Sequence, residues 1–360
     1  MSSGPGVGSA KDSSTSAGSV PGDRRTMALI ASPFGRGDAT SVRGDSAYLD
    51  GPVLWHRYLV FSIIVFNRRS LAGEAELLIG AHVSGSGGVD RAIDRALEIG
   101  AECVQLFPSP PQGWGFKMPD EVVIAEFRRK VFESGIGPNV FHGIYLVSLG
   151  SDDPALVQRG KASLAKYLDV AADLGVTGVI FHLNSHKGRG FDGVFGQVTE
   201  AIREVLSESP DDVQLIIENS AGMGNHIGSK FTEIGAFIRE LDDPRVQVCL
   251  DTQHSFAAGY DLRTTASVEG VMAEFDREIG LQHLVAVHCN DSKPDLGGAL
   301  DRHENIGEGR MGIGAFEAIL AHPAFAEIPF YLEVPGFEGN GPDSENVATM
   351  KSIREKVGQA

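Results

Sequence analysis

From Leu77 onward the chain repeats one pattern eight times: a short, β-branched-rich apolar run, then a longer stretch with helical periodicity. The runs are LLIGAHV (77–83), ECVQLF (102–107), NVFHGIYLV (139–147), VTGVIFHL (176–183), VQLIIEN (213–219), RVQVCLD (245–251), HLVAVHC (283–289) and PFYLEV (329–334). Strands that read as continuous apolar runs, not as alternating ones, are buried on both faces, as in a parallel sheet covered by helices. The intervening segments read as helices. In residues 154–175, Leu156, Leu164, Leu168 and Ala171 keep a helical spacing, and Gly175 stands where a C-terminal cap is wanted. Eight such units predict a closed (β/α)8 TIM barrel over residues 77–360, with an open doubly wound sheet as the alternative. No GxGxxG joins a strand to a helix, which disfavours a dinucleotide fold.

Residues 1–76 lack this rhythm. MSSGPGVGSAKDSSTSAGSVPGD is Gly/Ser-rich and aperiodic, and offers too little apolar surface to offset the entropy of an ordered chain. The expectation is a disordered, dispensable extension of the kind an upstream start codon adds, in which 54–66 forms at most an isolated strand or helix. Arg24–Arg25 before TMALIA imitates a twin-arginine signal, but the apolar region is shorter than the roughly 7–15 residues such a signal needs. The longest apolar run, LVFSIIVF (59–66), falls well short of the ~18 residues of a membrane span. Cys103, Cys249 and Cys289 each sit in an apolar run, which predicts buried reduced thiols in a reducing compartment, the cytoplasm, with no disulfide framework. A net charge of −17 excludes binding through a globally basic surface and leaves room for a local cationic centre.

Barrel enzymes carry their chemistry at the C-terminal ends of the strands. There the sequence sets His142 (third strand), His182 (fourth), Glu218 (fifth), Asp251 (sixth), His288 (seventh) and Glu333 (eighth). His254 follows the sixth strand, and Asp301 and His303 lie in the loop after the seventh. Taken singly, each has an ordinary explanation; Asp251 and His254, for instance, read as a capping aspartate beside a histidine. Six consecutive strands ending this way point to a shared site. Carboxylates crowded into a low-dielectric mouth repel one another, and multivalent cations relieve that repulsion. Nitrogen and oxygen donors without thiolate suit Zn²⁺, with Mn²⁺ or Fe²⁺ as substitutes. Nine ligands exceed what two four-coordinate ions need, so three ions are expected. Against four carboxylates they leave a local excess of positive charge, suited to phosphate.

The motifs GAHVSGSGG, FHGIYLVSLGS, FHLNSHKG, IIENSAGMG, CLDTQHSFAAGYD, HCNDSK, DRHENIGEGRMG and YLEVPG occur in the order found in endonuclease IV. Residues 79–360 therefore resemble this family of apurinic/apyrimidinic-site DNA repair nucleases; the N-terminal extension has no counterpart in it. The resemblance implies a trinuclear zinc site: His142, His182 and Glu218 on one ion, Glu218, Asp251, His288 and Glu333 on a second, and His254, Asp301 and His303 on the third. Glu218 would be the bridging catalytic carboxylate. The implied reaction is hydrolysis of the phosphodiester 5′ to an abasic site in duplex DNA, leaving a 3′-hydroxyl and a 5′-deoxyribose phosphate, with removal of 3′ blocking groups by the same cluster.

By the same resemblance Tyr145 and Leu146 would wedge into the base stack, where the residues by themselves read as buried core. The loop PSPPQGWGF carries Gln112 where the family commonly has arginine, which predicts weaker DNA affinity or altered damage preference. Leu183 and Asn184 replace the family's usual Pro-Gly in FHLNSHKG, and His186 is expected to contact phosphate. GSGG (85–88) offers either backbone N–H groups to a phosphate or a plain tight turn. Lys187, Lys293, Arg302 and Arg310 are candidates for DNA backbone contacts, and His82, His226, His283 and His322 are expected to be structural or exposed. A monomer is expected. Two rivals remain: a sugar isomerase or epimerase on a xylose isomerase-like barrel, and a protein that binds abasic DNA without cutting it.

Overall fold

The computed structural model describes residues 77–359. The expectations for residues 1–76 lie outside the described residues. Barrel strands β1 (Ile79–His82), β2 (Val104–Leu106), β3 (Asn139–His142), β4 (Gly178–His182), β5 (Gln214–Glu218), β6 (Val246–Asp251) and β7 (Leu284–Cys289) follow one another in sequence. A short antiparallel ribbon, β8 (Asp291–Ser292) with β9 (His303–Glu304), precedes the last barrel strand, β10 (Phe330–Leu332). All barrel pairings are parallel and the ring closes through β1 against β10, so the closed TIM barrel is observed and the open-sheet alternative is not.

Helices α1 (Asp90–Glu98), α2 (Glu121–Ser134), α3 (Pro154–Leu174), α4 (Gly190–Ser207), α5 (Phe231–Leu241), α6 (Thr252–Ala258), α7 (Thr265–Glu278), α8 (Ile313–Leu320) and α9 (Ser344–Val357) carry the chain back between strands. Their ends follow local chemistry. α3 begins with Asp153 accepting from the Ala155 N–H and Pro154 in the first turn, and ends on Gly175 at φ 71°. The packing between strands and helices forms one continuous apolar core that includes Leu164, Leu168, Phe237 and Phe316. A second, smaller apolar cluster fills the barrel itself: Cys103, Val140, Ile180, Ile216, Cys249, Ala286 and Tyr331. β1 passes so close to β2 that a Cβ at Gly80 would collide with the Cys103 carbonyl.

The lower end of the barrel is tied by Glu102. Its carboxylate accepts from the Ile79 N–H at 2.8 Å and from Arg354 of α9 at 2.8 Å, while Arg354 also donates to the Leu77 carbonyl at 2.6 Å. The last helix is thereby bonded to the first two strands, and the ring is closed by side chains as well as by its ladder.

Candidate metal centre

Side chains alternate sides along a strand, so residues two apart face the same way. Each member of the small apolar cluster inside the barrel is followed, two positions on, by a polar residue: Gln105, His142, His182, Glu218, Asp251, His288 and Glu333. His82 holds the corresponding place on β1, two after Gly80. The ladder sets His182 opposite Glu218 and Asp251 opposite His288. α6 adds His254, and the ribbon adds His303, whose partner in the pairing is Ser292. Glu333 stands one residue past β10, and His288 one before the end of β7.

These side chains gather into three groups, within each of which the donor atoms lie within 4.8 Å of one another: His142, His182 and Glu218; Glu218, Asp251, His288 and Glu333; and Asp251, His254 and His303. Glu218 belongs to two groups. Its Oε2 lies 3.1 Å from His142 Nε2 and 3.3 Å from His182 Nε2, and its Oε1 lies 2.9 Å from His288 Nδ1 and 3.1 Å from His254 Nδ1. Asp251 also belongs to two, where the sequence expectation gave it one. Its Oδ1 caps α6 through the His254 N–H at 2.7 Å, and its Oδ2 faces His303 Nε2 at 3.7 Å. The aspartate is thus a helix cap and a member of the cluster at once. Asp301, expected in the third group, is more exposed and sits with Oδ1 3.3 Å from His254 Nε2 and 3.4 Å from His303 Nε2.

The hydrogen bonds on the far side of the rings say which nitrogens are available. His142 Nδ1 lies 2.7 Å from the Gly143 carbonyl, His254 Nδ1 3.0 Å from the Asn219 carbonyl, and His303 Nδ1 3.2 Å from the Glu333 carbonyl. A carbonyl only accepts, so each Nδ1 is the donor and each Nε2 is the nitrogen turned towards the carboxylates. Glu218 Oε1, His254 Nε2, His288 Nδ1 and His303 Nε2 are buried without a hydrogen-bond partner. Carboxylate and imidazole atoms this close are held together by shared protons or by a cation between them. Ligand atoms of a tetrahedral ion bound at ~2.0–2.2 Å stand about 3.4 Å apart, which is the spacing here. The residues fit divalent ions.

The electrostatics carry the same demand. Burial by itself pushes Glu218 up, yet His182 and His288, with hydrogen bonds from its neighbours, hold it well below the usual carboxylate range. Burial pushes Asp251 up. Burial opposes protonation of His254, but Asp251, Asp301 and Glu218 outweigh it and lift the imidazole well above its usual value. His182, with less help, is driven down to about 4 by burial. Protons are therefore distributed unequally over a set of bases that a bound cation would neutralise together.

Tyr145 and Leu146 stand in the turn after β3 at 56% and 37% exposure, so the core reading of this pair is not what the fold has. The Tyr145 ring packs edge-on against Phe107 at 5.4 Å. Gln112 is exposed in the loop between β2 and α2, with Trp114 half-buried beside it. His186 lies outside the three groups; its Nδ1 accepts from the Gly188 and Gly190 N–H groups at 3.1 and 3.0 Å, which fixes its proton on Nε2. Lys187, Lys293, Arg302 and Arg310 are exposed on loops. A cavity of about 850 Å³ opens beside the cluster, walled by His82, Phe107, Tyr145, His303 and Glu333, with the GSGG segment along one side.

Sequence reading missed several residues. His82, expected to be structural or exposed, is at the cluster's edge, its Nδ1 3.3 Å from Glu333 Oε1. Asn290 donates to Asp251 Oδ2 at 2.8 Å and accepts from the Glu333 N–H at 2.8 Å. Asn219 accepts from the Asp251 N–H at 2.7 Å. Gln105 bonds both His288 and Glu333. The available signal was positional: Asn219 directly follows a ligand-type strand end, and Gln105 is the polar residue of β2 at the height of the others.

Among known proteins, a family described as xylose isomerase-like TIM barrel matches residues 93–356. A probable endonuclease 4 from Methanoculleus marisnigri is 40% identical over 279 residues, covering 77% of this chain and 99% of the relative. One from Natronomonas pharaonis is 40% identical over 261 residues, covering 72% of this chain and 93% of its own. Among solved structures, endonuclease IV from Thermus thermophilus superposes with a TM-score of 0.69 at 33% identity, covering 78% of this chain and 99% of that one. A 3-keto-D-glucoside 4-epimerase from E. coli superposes with a TM-score of 0.57 at 14% identity, covering 78% of this chain and all of that one, a likeness of fold alone.

Proposed function

The chain belongs to the endonuclease IV family of xylose isomerase-like TIM barrels, and from that premise we propose that it is a zinc-dependent abasic-site endonuclease of base excision repair. Its reaction is hydrolysis of the phosphodiester 5′ to an abasic site in duplex DNA, leaving a 3′-hydroxyl and a 5′-deoxyribose phosphate. The same centre clears blocking groups from 3′ ends. The protein acts as a monomer in the cytoplasm; no helix of the described residues is long and apolar enough to cross a membrane.

The observation that carries this reading is the gathering of buried imidazoles and carboxylates into three adjoining groups that share Glu218 and Asp251. His142, His182 and Glu218 hold one zinc, Glu218, Asp251, His288 and Glu333 a second, and His254, His303 and Asp301 the third, with Asp251 close enough to share the last. When bound, such ions lower the pKa of water and stabilise negative charge developing on phosphoryl oxygens. Glu218 is the shared carboxylate and the catalytic one: it faces four imidazoles and orients whatever lies between them. The Asn219 and Asn290 amides hold Asp251 in place. Tyr145 and Leu146, exposed beside the cavity, enter the gap left by the missing base, where reduced stacking makes extrusion of the lesion easier. Gln112 meets DNA without the charge of an arginine, and His186 donates from Nε2 to a phosphate oxygen. Lys187, Lys293, Arg302 and Arg310 contribute sequence-independent backbone attraction. The isomerase alternative leaves Tyr145 and Leu146 exposed without a role.

The test is a labelled duplex carrying one tetrahydrofuran abasic mimic. Incision on its 5′ side, abolished by strong chelation and restored by Zn²⁺, is expected. Binding without zinc-restorable incision would identify a damage binder instead, and one or two exchangeable Mn²⁺ per chain would favour an isomerase.

A further inference from the structure

Gln105 is fully buried in the middle of the three-residue β2, the one place in the upper ring of barrel positions filled by an amide between potential ligands. Its Oε1 lies 2.7 Å from His288 Nε2, and its Nε2 lies 2.6 Å from Glu333 Oε1 and 2.8 Å from His82 Nδ1. The orientation of the amide follows by elimination. A carboxylate accepts only, so the NH₂ faces Glu333 and the oxygen faces His288. The imidazole must then donate from Nε2, which leaves Nδ1 as the nitrogen that faces Glu218 and Glu333, at 2.9 and 3.3 Å. The second NH₂ hydrogen reaches His82, whose Nδ1 must therefore be unprotonated. On the carboxylate side, the bond to Oε1 leaves Oε2 as the oxygen nearer His288.

We propose that Gln105 is the positioning residue of the metal group formed by Glu218, Asp251, His288 and Glu333. One side chain sets the tautomer of His288 and selects the free oxygen of Glu333, so that both ligands present lone pairs to the same point. Second partners of this kind tune metal affinity without touching the ion. The inference rests on the reading of these four residues as ligands, and it adds a residue from β2, a strand that contributes no ligand.

The experiment compares Gln105→Met, which keeps the volume and loses both hydrogen bonds, with His288→Ala and the wild type. Bound zinc is counted, and the absorption of the Co²⁺-substituted protein is recorded. Gln105→Met is expected to weaken one ion by roughly 10–100-fold and to alter the Co²⁺ spectrum while the other ions remain. Gln105→Glu, which still accepts from His288 Nε2, should retain the His288 tautomer. Nitrogen NMR of the zinc-loaded wild type should find the His288 proton on Nε2, a measurement that needs no variant to fold. Wild-type affinity and spectrum in Gln105→Met, or a His288 proton on Nδ1, overturns the proposal. If His288→Ala binds as many ions as the wild type, the ligand reading itself has failed; if His288→Ala loses one and Gln105→Met keeps wild-type affinity and spectrum, only the positioning role has.

Discussion

Two tiers inside the barrel, two residues apart on each strand, lie side by side, share fully buried members and are opposite in meaning. Ile216 is 0% exposed and Glu218 is 1%. The lower tier, Val140, Ile180, Ile216, Cys249, Ala286 and Tyr331, stabilises the fold by leaving water, at roughly 25 cal/mol per Å² of apolar surface. The upper tier, His142, His182, Glu218, Asp251, His288 and Glu333, gains nothing from leaving water. Its charges lose solvation, and only mutual neutralisation or a cation offsets that loss. Burial alone therefore does not reveal what a residue is for; the partners of its polar atoms do.

The sharpest way to break this contrast is to change neighbouring tiers on one strand. Glu218→Gln keeps the shape and removes the charge shared by two groups. It should remove several kcal/mol of transition-state stabilisation, a thousandfold or more in incision rate on the order-of-magnitude scale of metal catalysis, and lower zinc stoichiometry. Full activity in Glu218→Gln would end the assignment. Two residues earlier, Ile216→Ala should behave in reverse. Urea titration should show a loss of about 2–5 kcal/mol of stability, with zinc stoichiometry unchanged. An Ile216→Ala protein that also lost zinc would mean that the tiers are not separable.

The smallest expected effect concerns pH. Burial depresses His182 from 6.5 to about 4, so the unfolded chain takes up a proton that the folded metal-free protein refuses. That stability is present above pH 6.5 and is lost as pH falls toward 4. His182→Asn should flatten this part of the metal-free stability curve, whereas Ile180→Val should lower the curve without changing its slope. Equal slopes in wild type and His182→Asn would show that the ring is not desolvated.

The barrel was legible because strands covered on both faces leave continuous apolar runs, and the donors were legible because their residue types recur at run ends. What escaped reading depends on closure. His82 and Glu333 are 251 positions apart and meet only because β1 pairs with β10. Gln105 in ECVQLF looks like any polar residue in a strand until the ring sets it between His288 and Glu333. The double part played by Asp251 depends on which of its oxygens caps α6, a torsional choice that residue type does not encode. Tyr145 and Leu146 read as core because aromatic and leucine side chains beside a strand usually are; here the chain has already turned out of the barrel.

Asp291 is fully buried, and its carboxylate accepts from the N–H groups of Ser292, Gly307, Gly309, Met311 and Gly312 at 2.7–3.1 Å. A side chain at Gly309 would strike that carboxylate. The segment downstream of His303 is thereby stapled to the end of β7 by one acid, while the ribbon pairs His303 with Ser292. An arriving ion consequently need not gather a loose loop, since the entropy of that loop was already spent when the chain folded. Binding then costs no further ordering of this segment, as for a socket and not a clasp.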